Sequence, residues 1–335
     1  MPFPLQTNNK LTIVIVGAGL GGLTLATLLE RAGVPYVVLE KSERIRPLGS
    51  AISMASSLMP LMEQLGLRKE ILARSKIIGD AQIFDENFES AISRDFGAPV
   101  REKFEFDGAF IARPALYEIL LSQIPPKKIH FNKRVITMVE LPDSTVVGMV
   151  CVRCADDSVY SGDILVGADG AYSAIRKSLY GQLAKSDKGL MAASDLEPMT
   201  VSSICLVGTT GALPPKEYPG IEDATCKFGT VWIENASCAV ATFALVNNTI
   251  CWMALKLLDT PVLRDNPQLQ AIEWDPSATD AMCKEVSPFP IAIGAGKKTL
   301  GDLIEATPRE CISKVYLEEK MFETWYSGRT VLLGD

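Results

Sequence analysis

The stretch LTIVIVGAGLGGLTLATLLERAGVPYVVLE, residues 11–40, decides the fold of this chain. An apolar run ends in a glycine-rich turn at Gly17, Gly19 and Gly22, a helical pattern follows, and a second apolar run ends in Glu40. Strand, glycine turn, helix, strand and acid is the order found in βαβ units that bind a dinucleotide. The sequence therefore predicts such a unit at the start of the chain.

Each of these glycines has a predicted role. Gly17 allows the tight turn, Gly19 lets the backbone approach a pyrophosphate, and Gly22 lets the helix pack closely on the strand. The pyrophosphate would lie against free N–H groups at the positive end of the helix. Glu40 follows Gly22 by 18 residues, and its carboxylate would accept hydrogen bonds from the hydroxyl pair of a ribose. A tightly packed turn without a ligand is the alternative.

The composition is that of an ordinary soluble globular protein. The chain has 335 residues, of which 47% are apolar and 22% charged, and this length allows a two-part fold with a sizeable core. The formal net charge of −7 argues against a nucleic-acid-binding protein. Residues 12–29 are apolar enough to resemble a membrane helix, but the glycines at the turn favour a strand followed by a helix.

The cysteine and histidine content predicts no metal site. The eight cysteines are scattered and no secretory signal precedes them, so we expect free thiols in a reducing, cytoplasmic compartment. Cys151 and Cys154 have C-x-x-C spacing, but they lie in a strand-like run, where positions three apart face opposite sides. His130 is the single histidine and lies in another strand-like run. A histidine-based triad is therefore not expected, and the catalytic residues stay unassigned.

Alternating patterns predict further strands after the first unit. Residues 81–94 predict a hairpin, and residues 129–166 contain short strands that we interpret as a β-meander attached to the first unit. Residues 199–258 predict an antiparallel sheet in a second domain, with a hairpin turn at residues 246–248. Residues 266–325 look mixed and mostly helical, with residues 281–286 and 300–306 as helix candidates.

A second motif follows a buried strand in the stretch GDILVGADGAYSAIR, residues 162–176. The strand runs into a turn at Asp169 and Gly170, and a helix opens before Arg176. Gly170 allows a positive φ and a close backbone approach, Asp169 can accept hydrogen bonds, and Arg176 supplies positive charge. For this stretch alone, a capped strand–turn–helix without a ligand is an equal alternative.

A third motif, YSGRTVLLGD at residues 326–335, is another strand that delivers an acid, Asp335, where α/β sheets bind ligands. With these three motifs in this order, the sequence resembles the FAD-dependent aromatic hydroxylases. These are single-component flavoprotein monooxygenases, typified by p-hydroxybenzoate hydroxylase, salicylate hydroxylase and kynurenine monooxygenase. The resemblance runs from Ile13 to Asp335, and the approach from Glu323 to Arg329 is similar to fungal FAD-binding-domain proteins.

The resemblance implies a set of cofactor-binding residues. They are Gly17, Gly19, Gly22, Glu40, Gly49, Arg113, Asp169, Gly170, Arg176 and Asp335. Glu40 would bind the adenosine ribose, and Arg113 would contact the ribityl–phosphate region of the flavin. Asp169 and its turn would lie near the pyrophosphate and the path of NAD(P)H, while Asp335 would bond a ribityl hydroxyl.

The resemblance also implies an α/β fold class. The implied fold has two domains. The first is a Rossmann-like FAD-binding domain, which consists of a βαβ unit with a three-stranded meander. The second is a substrate domain built on an antiparallel sheet. Residues 1–80 and 105–185 would form the FAD-binding domain, with residues 320–335 returning to it. Residues 81–104 and 186–319 would form the substrate domain.

The activity that the resemblance implies is oxygenation of a small molecule. NADH or NADPH would reduce FAD, O2 would add to give a C4a-hydroperoxide, and one oxygen would pass to an aromatic ring or an alkene. The protein would exclude water and allow the flavin to move. Trp232, Phe243 and Trp252 are candidate wall residues of the substrate pocket, although core packing is the preferred interpretation for each.

The sequence departs from this family at its end. Family members continue past the Gly-Asp motif with a proline, a Gly-x-Gly loop and long helices, so we expect a C-terminally truncated product. Membrane association through such a segment stays open, as do the substrate, the choice of NADH or NADPH and the oligomeric state. A flavin oxidase or dehydrogenase on the same scaffold and a truncated non-catalytic paralogue are the alternatives. A plain NAD-dependent dehydrogenase explains residues 11–40 but not the two later motifs.

Overall fold

The structure is a computed structural model that describes residues 11–44, 50–88, 90–95, 98–141, 149–185, 191–263, 276–294 and 298–334. The chain divides into two compact units. The first unit comprises Met1–Ile45, Tyr117–Glu197 and Met321–Asp335, and the second comprises Arg46–Leu116 and Pro198–Lys320.

The elements are numbered in chain order over the described residues. The helices are α1 (Leu20–Ala32), α2 (Met59–Gln64), α3 (Arg68–Ala73), α4 (Ala98–Phe104), α5 (Arg113–Ser122), α6 (Ala174–Lys185), α7 (Pro276–Val286) and α8 (Leu300–Glu305). The strands are β1 (Ile13–Val16), β2 (Tyr36–Leu39), β3 (Ala51–Met54), β4 (Ser75–Asp85), β5 (Ser90–Asp95), β6 (Ala109–Ala112), β7 (Ile129–His130), β8 (Val135–Leu141), β9 (Met149–Cys154), β10 (Val159–Gly162), β11 (Ile164–Gly167), β12 (Thr200–Thr209), β13 (Thr225–Ile233), β14 (Cys238–Ala244), β15 (Ile250–Leu263), β16 (Ser313–Glu319), β17 (Tyr326–Ser327) and β18 (Thr330–Leu332).

The first unit is built on a sheet whose strand order is β17-β18-β11-β1-β2-β7. The central strand β1 pairs in parallel with both β2 and β11, and all four of its residues are buried. A continuous apolar run is what a strand covered on both faces requires. Helix α1 connects β1 to β2 and ends at Gly33, whose φ is 66°. The predicted βαβ unit is therefore confirmed.

The three-stranded meander of the first unit is antiparallel and has the order β10-β9-β8. The prediction for the last strand of the meander is wrong. The run at residues 163–166 belongs to β11 of the parallel sheet, where Ile164 pairs with Ile13. The third meander strand is β10, which pairs with β9. Alternation alone could not make this distinction, because partner choice depends on residues far away in sequence.

The second unit is built on a sheet with the order β16-β12-β15-β14-β13-β4-β6-β3, and β5 pairs with β4. Its neighbours are antiparallel except β13 and β4, which are parallel. The β4–β5 hairpin and the turn at residues 246–248 are as predicted. Asn247 and Asn248 have φ of 60° and 55°, which suits a tight turn. In residues 266–325 the structure has the helices α7 and α8, as predicted, and the strand β16.

The three candidate wall residues of the second unit have different surroundings. Trp252 is fully buried, and its indole N–H donates to the hydroxyl of Thr307 at 2.9 Å, so it packs in the core. Phe243 packs against Phe110 and Phe228, with ring centroids 5.0 and 5.7 Å away. Trp232 is 38% exposed. Core packing thus holds for Trp252, while Trp232 presents an aromatic surface.

The division by contacts differs from the predicted domain boundaries in three ranges. Residues 46–80 and 105–116 lie in the second unit, because β3, β4 and β6 are strands of its sheet. The chain therefore passes from the first unit to the second soon after the first βαβ unit. Residues 191–197, predicted in the substrate domain, lie in the first unit, where Asp195 accepts hydrogen bonds from the backbone of Glu323 and Thr324.

Candidate functional site

Backbone atoms crowd two glycines of the turn between β1 and α1. Gly17 has φ of 105°, and a Cβ placed there would lie 2.2 Å from the carbonyl oxygen of Ala168. A Cβ on Gly22 would lie 2.1 Å from the carbonyl oxygen of Gly17. Both positions therefore exclude any side chain, and the helix approaches the strand as closely as its backbone allows.

Gly19 differs from these two glycines because nothing crowds it. A Cβ there would meet the Ala168 carbonyl oxygen only at 3.9 Å. Gly19 is the N-cap of α1, and within the described residues no side chain caps this helix. The first N–H groups of a helix lack intrahelical partners and carry the positive end of the helix dipole. The protein leaves room for an anion at this point.

The Glu40 carboxylate is held in place by backbone N–H groups. Oε2 accepts from Ala18 at 2.8 Å and Oε1 accepts from Ser42 at 2.8 Å. The backbone of Glu40 is also held at both ends. Its N–H donates to the His130 carbonyl, and its carbonyl accepts from the backbone N–H of Lys133. Each carboxylate oxygen has a second lone pair, so Glu40 can still accept hydrogen bonds from a ligand. The Ala18 contact joins Glu40 directly to the glycine turn.

The Asp169 side chain caps helix α6. Its Oδ2 accepts from the N–H groups of Ala174 and Ile175, at 2.7 and 3.3 Å. Ser173 donates from its hydroxyl to Asp169 Oδ1 at 2.5 Å and accepts from the N–H of Arg176 at 2.8 Å. The first turn of α6 is thus satisfied by side chains. The structural alternative for this motif, a capped strand–turn–helix, describes the observed contacts.

Gly170 and Arg176 support the same turn. Gly170 has φ of 78°, and apart from its chain neighbours no atom of the described residues lies within 4 Å of a Cβ placed there. Arg176 is 7% exposed, and its guanidinium donates to the carbonyl of Ala171 and lies 4.4 Å from the ring centroid of Phe322. The positive charge that the sequence assigns to this position is therefore packed within the first unit.

The third motif lies beside the glycine turn. β18 pairs in parallel with β11, and the N–H of Leu333 donates to the Gly167 carbonyl at 2.8 Å. The Leu333 side chain lies 3.7 Å from where Gly21 would carry a Cβ. Gly334 follows with φ of 89°. β1, β11 and β18 therefore end together, and the last residue described is Gly334.

The structure brings most of the predicted site residues to one edge of the first unit's sheet. They are Gly17, Gly19, Gly22, Glu40, Asp169, Gly170 and Arg176. Arg113 lies in the second unit at the start of α5, exposed, with its backbone N–H on the Ser50 carbonyl at 3.0 Å. Gly49 and Asp335 lie outside the described residues. The Ala168 carbonyl and the Ala18 N–H were missed, since a sequence gives no signal for backbone contacts.

The C-x-x-C pair and the histidine do not form a metal site. Among the described residues no group of three His, Cys, Asp or Glu side chains could hold a metal ion. Cys151 and Cys154 are buried thiols in β9, and burial raises the pKa of both. The His130 ring lies 5.4 Å from the Tyr160 ring.

Comparison with known proteins identifies the family. Residues 10–203 match the model of the FAD binding domain family. The chain belongs to this family. Over 98% of its length it is 31% identical to the FAD-dependent monooxygenase ptmM of Penicillium ochrochloron and 29% identical to atmM of Aspergillus flavus. It spans 73% and 64% of the length of these two relatives. By family it is an FAD-dependent oxidoreductase of the monooxygenase type.

Solved structures show the same fold. Klebsiella pneumoniae HpxO, complexed with FAD and uric acid, superposes with a TM-score of 0.70 at 20% identity, over 96% of this chain and 72% of that one. CtdE, in complex with FAD and a substrate, superposes with a TM-score of 0.72 at 17% identity, over 97% and 74%. At these identities the likeness concerns the fold alone. No described helix is long and apolar enough to cross a membrane.

The residues of the first unit fit FAD. The crowded glycines leave a bare backbone, no side chain among the described residues caps the N-terminus of α1, and the Glu40 carboxylate lies next to both. A pyrophosphate needs the first two features and a ribose needs the third. These features could hold the adenosine diphosphate half of the cofactor.

Proposed function

We propose that this protein is an FAD-dependent monooxygenase that transfers one oxygen of O2 to an aromatic or alkene small molecule, with NADH or NADPH as the reductant. The observation that carries the proposal is the uncapped N-terminus of α1 beside Glu40. The monooxygenase relatives support the reaction class. FAD, when bound, supplies the redox chemistry that activates O2.

The first unit would bind the cofactor through its own backbone. The N–H groups at the start of α1 would hold the pyrophosphate, because Gly19 leaves space there and the helix dipole favours an anion. Glu40 would orient the adenosine ribose, since its carboxylate is already fixed by Ala18 and Ser42. Asp169 would act through the fold, by holding the first turn of α6 in place.

The second unit would bind the substrate. Its sheet carries the aromatic trio Phe110, Phe228 and Phe243, with ring centroids 5.0 to 5.7 Å apart. On β13 and β15, Trp232 and Leu257 are 38% and 44% exposed. Aromatic and apolar linings bind apolar ligands and exclude water, which would otherwise divert the oxygen to hydrogen peroxide. These side chains support an aromatic or alkene substrate.

A reducing compartment suits this protein. Seven of the eight cysteines are buried as free thiols, and burial raises the pKa of Cys205 and Cys226 to about 12. Such thiols behave as core residues. They support the proposal of a cytoplasmic location.

Product analysis under isotopically labelled O2 tests the proposal. The protein is loaded with FAD and supplied with NADH or NADPH and a panel of aromatic and alkene compounds. The proposed function predicts consumption of the reduced nicotinamide together with label in an organic product. Consumption with only hydrogen peroxide across the panel would favour an oxidase, and a bound flavin that no nicotinamide reduces would favour a non-catalytic paralogue.

A further inference from the structure

The buried carboxylate of Asp195 lies outside the three motifs and binds the segment that leads into the third motif. We call residues 321–325 the return segment, because they bring the chain back to the first unit ahead of β17 and β18. Asp195 is 5% exposed, and its two oxygens accept from consecutive backbone N–H groups of this segment. Oδ1 accepts from Glu323 at 2.9 Å and Oδ2 from Thr324 at 2.9 Å.

A second residue, Tyr180, also bonds to the backbone of Thr324. The Tyr180 hydroxyl donates to the carbonyl of Thr324 at 3.1 Å. Burial, and next the charge of Asp195, raise the pKa of Tyr180 to about 12, so the hydroxyl stays a donor at neutral pH. Thr324 is therefore held at both its N–H and its carbonyl.

The Asp-Gly motif contributes a third contact to the return segment. Arg176 lies 4.4 Å from the ring centroid of Phe322, and the Phe322 ring lies 6.2 Å from that of Tyr180. Both Arg176 and Tyr180 belong to α6, the helix that Asp169 caps. The second motif is thus linked through one helix to the segment that precedes the third motif.

The contacts to the return segment lie next to the residue that pairs with β18 and sets its register. The Trp325 carbonyl, one residue after Thr324, accepts from the N–H of Leu332 at 2.8 Å. Leu332 pairs with Gly167, and Leu333 then packs beside Gly21. A slip of one residue in a strand turns every side chain to the opposite face. Fixing Thr324 therefore fixes where Gly334 is delivered.

We propose that Asp195 is a positioning residue that fixes the return segment, so that β18 delivers the Gly334 end of the third motif to the glycine turn. The link to FAD rests on the proposed function, whereas the effect on the strand does not. Asp195 acts through the backbone N–H groups of Glu323 and Thr324.

The test compares Asp195→Asn with wild type in two measurements. Asparagine keeps the shape, but its amide group would face one of the two N–H donors and leave it unpaired in a buried place. Hydrogen exchange in the full chain without FAD is expected to be about tenfold faster over residues 322–333, and FAD is expected to bind about tenfold more weakly. At saturating FAD, the visible circular dichroism of the bound flavin should also change, which a loss of stability alone would not cause.

Two further variants keep the test decisive. Tyr180→Phe removes only the hydroxyl and should give a smaller change in the same direction, even if Asp195→Asn does not fold. Ser194→Ala is the matched control. It removes an exposed side-chain contact to Glu323 in the adjoining position and should change neither measurement.

The outcomes separate this inference from the proposed function. Unchanged exchange over residues 322–333 in both Asp195→Asn and Tyr180→Phe would overturn the positioning role, whatever happens to FAD. Faster exchange in these variants, together with a wild-type chain that binds no FAD, would support the positioning role and contradict the proposed function.

Discussion

Two helices of the first unit begin at the same edge of its sheet, and their N-termini are built in opposite ways. Helix α1 follows a turn of glycines, and no described side chain caps it. Helix α6 follows the Asp-Gly turn, and Asp169 and Ser173 occupy the N–H groups of its first turn. An N–H group that a side chain already occupies is less available to an anion. Under the proposed function, the comparison therefore favours α1 for ligand binding and α6 for support of the fold.

The largest effect is expected for Gly17→Ala. The new Cβ would lie 2.2 Å from the Ala168 carbonyl oxygen in a backbone with φ of 105°. Overpacking and backbone strain together should cost about 4 kcal/mol of the free energy of unfolding, and FAD binding should be abolished. Thermal denaturation and FAD titration measure both. The control is Gly33→Ala, where φ is 66° but, beyond the chain neighbours, no atom in the described part of the chain lies within 4 Å, with a cost of about 1 kcal/mol. Equal destabilisation in the two variants would contradict the crowding argument.

Glu40→Gln is expected to weaken both stability and cofactor binding. One oxygen becomes an amide group that faces the N–H of either Ala18 or Ser42, so one hydrogen bond is removed. We expect a decrease of about 1–2 kcal/mol in the free energy of unfolding and about tenfold weaker FAD binding. Denaturant titration and flavin-fluorescence quenching check the two values. Undiminished FAD affinity in this variant would contradict the proposal that Glu40 binds the cofactor.

Asp169→Asn should distinguish the role of α6 from the role of α1. The variant weakens the cap of α6 and should lower the free energy of unfolding by about 1 kcal/mol. The dissociation constant of FAD should stay within about twofold of wild type, because the hydrogen bonds that the substitution weakens lie within the first turn of α6. A fall in FAD affinity of tenfold or more, with stability unchanged, would show that Asp169 contacts the cofactor.

These outcomes also bear on what the sequence could and could not predict. The β1–α1–β2 unit and the place of Glu40 follow from local order, because a strand, a turn and a helix succeed one another within 30 residues. The capping role of Asp169 could be named only as one of two options, since the residue types that cap a helix also bind ligands. The Asp195 contacts join residues 128 and 129 positions apart, and no local pattern reports them.

The smallest effect concerns a third helix N-terminus, in the second unit. The capping box of α8 pairs Thr299 with Asp302, and the Thr299 backbone N–H, ahead of other groups, lowers the pKa of Asp302 from 3.8. A lowered carboxyl pKa stabilises the fold above the ordinary value, and this contribution is lost as the pH falls through the folded pKa. Asp302→Asn should therefore cost about 0.5 kcal/mol at pH 7, given its exposure, and progressively less below about pH 4. Denaturant titrations of the variant and wild type at pH 7 and below about pH 4 measure this difference in the free energy of unfolding. A difference that does not change with pH would contradict the charge effect.

The most direct test of the central claim is a titration of the chain with FAD, with Gly19→Ala measured in parallel. A Cβ at Gly19 meets protein only at 3.9 Å, so the variant should fold with nearly wild-type stability. We predict that wild type binds about one FAD per chain and that Gly19→Ala binds at least tenfold more weakly, because the methyl group would occupy the space of the pyrophosphate. Equal FAD affinity in the two chains, or no binding by a folded wild type, would contradict the assignment of the α1 N-terminus as the cofactor site.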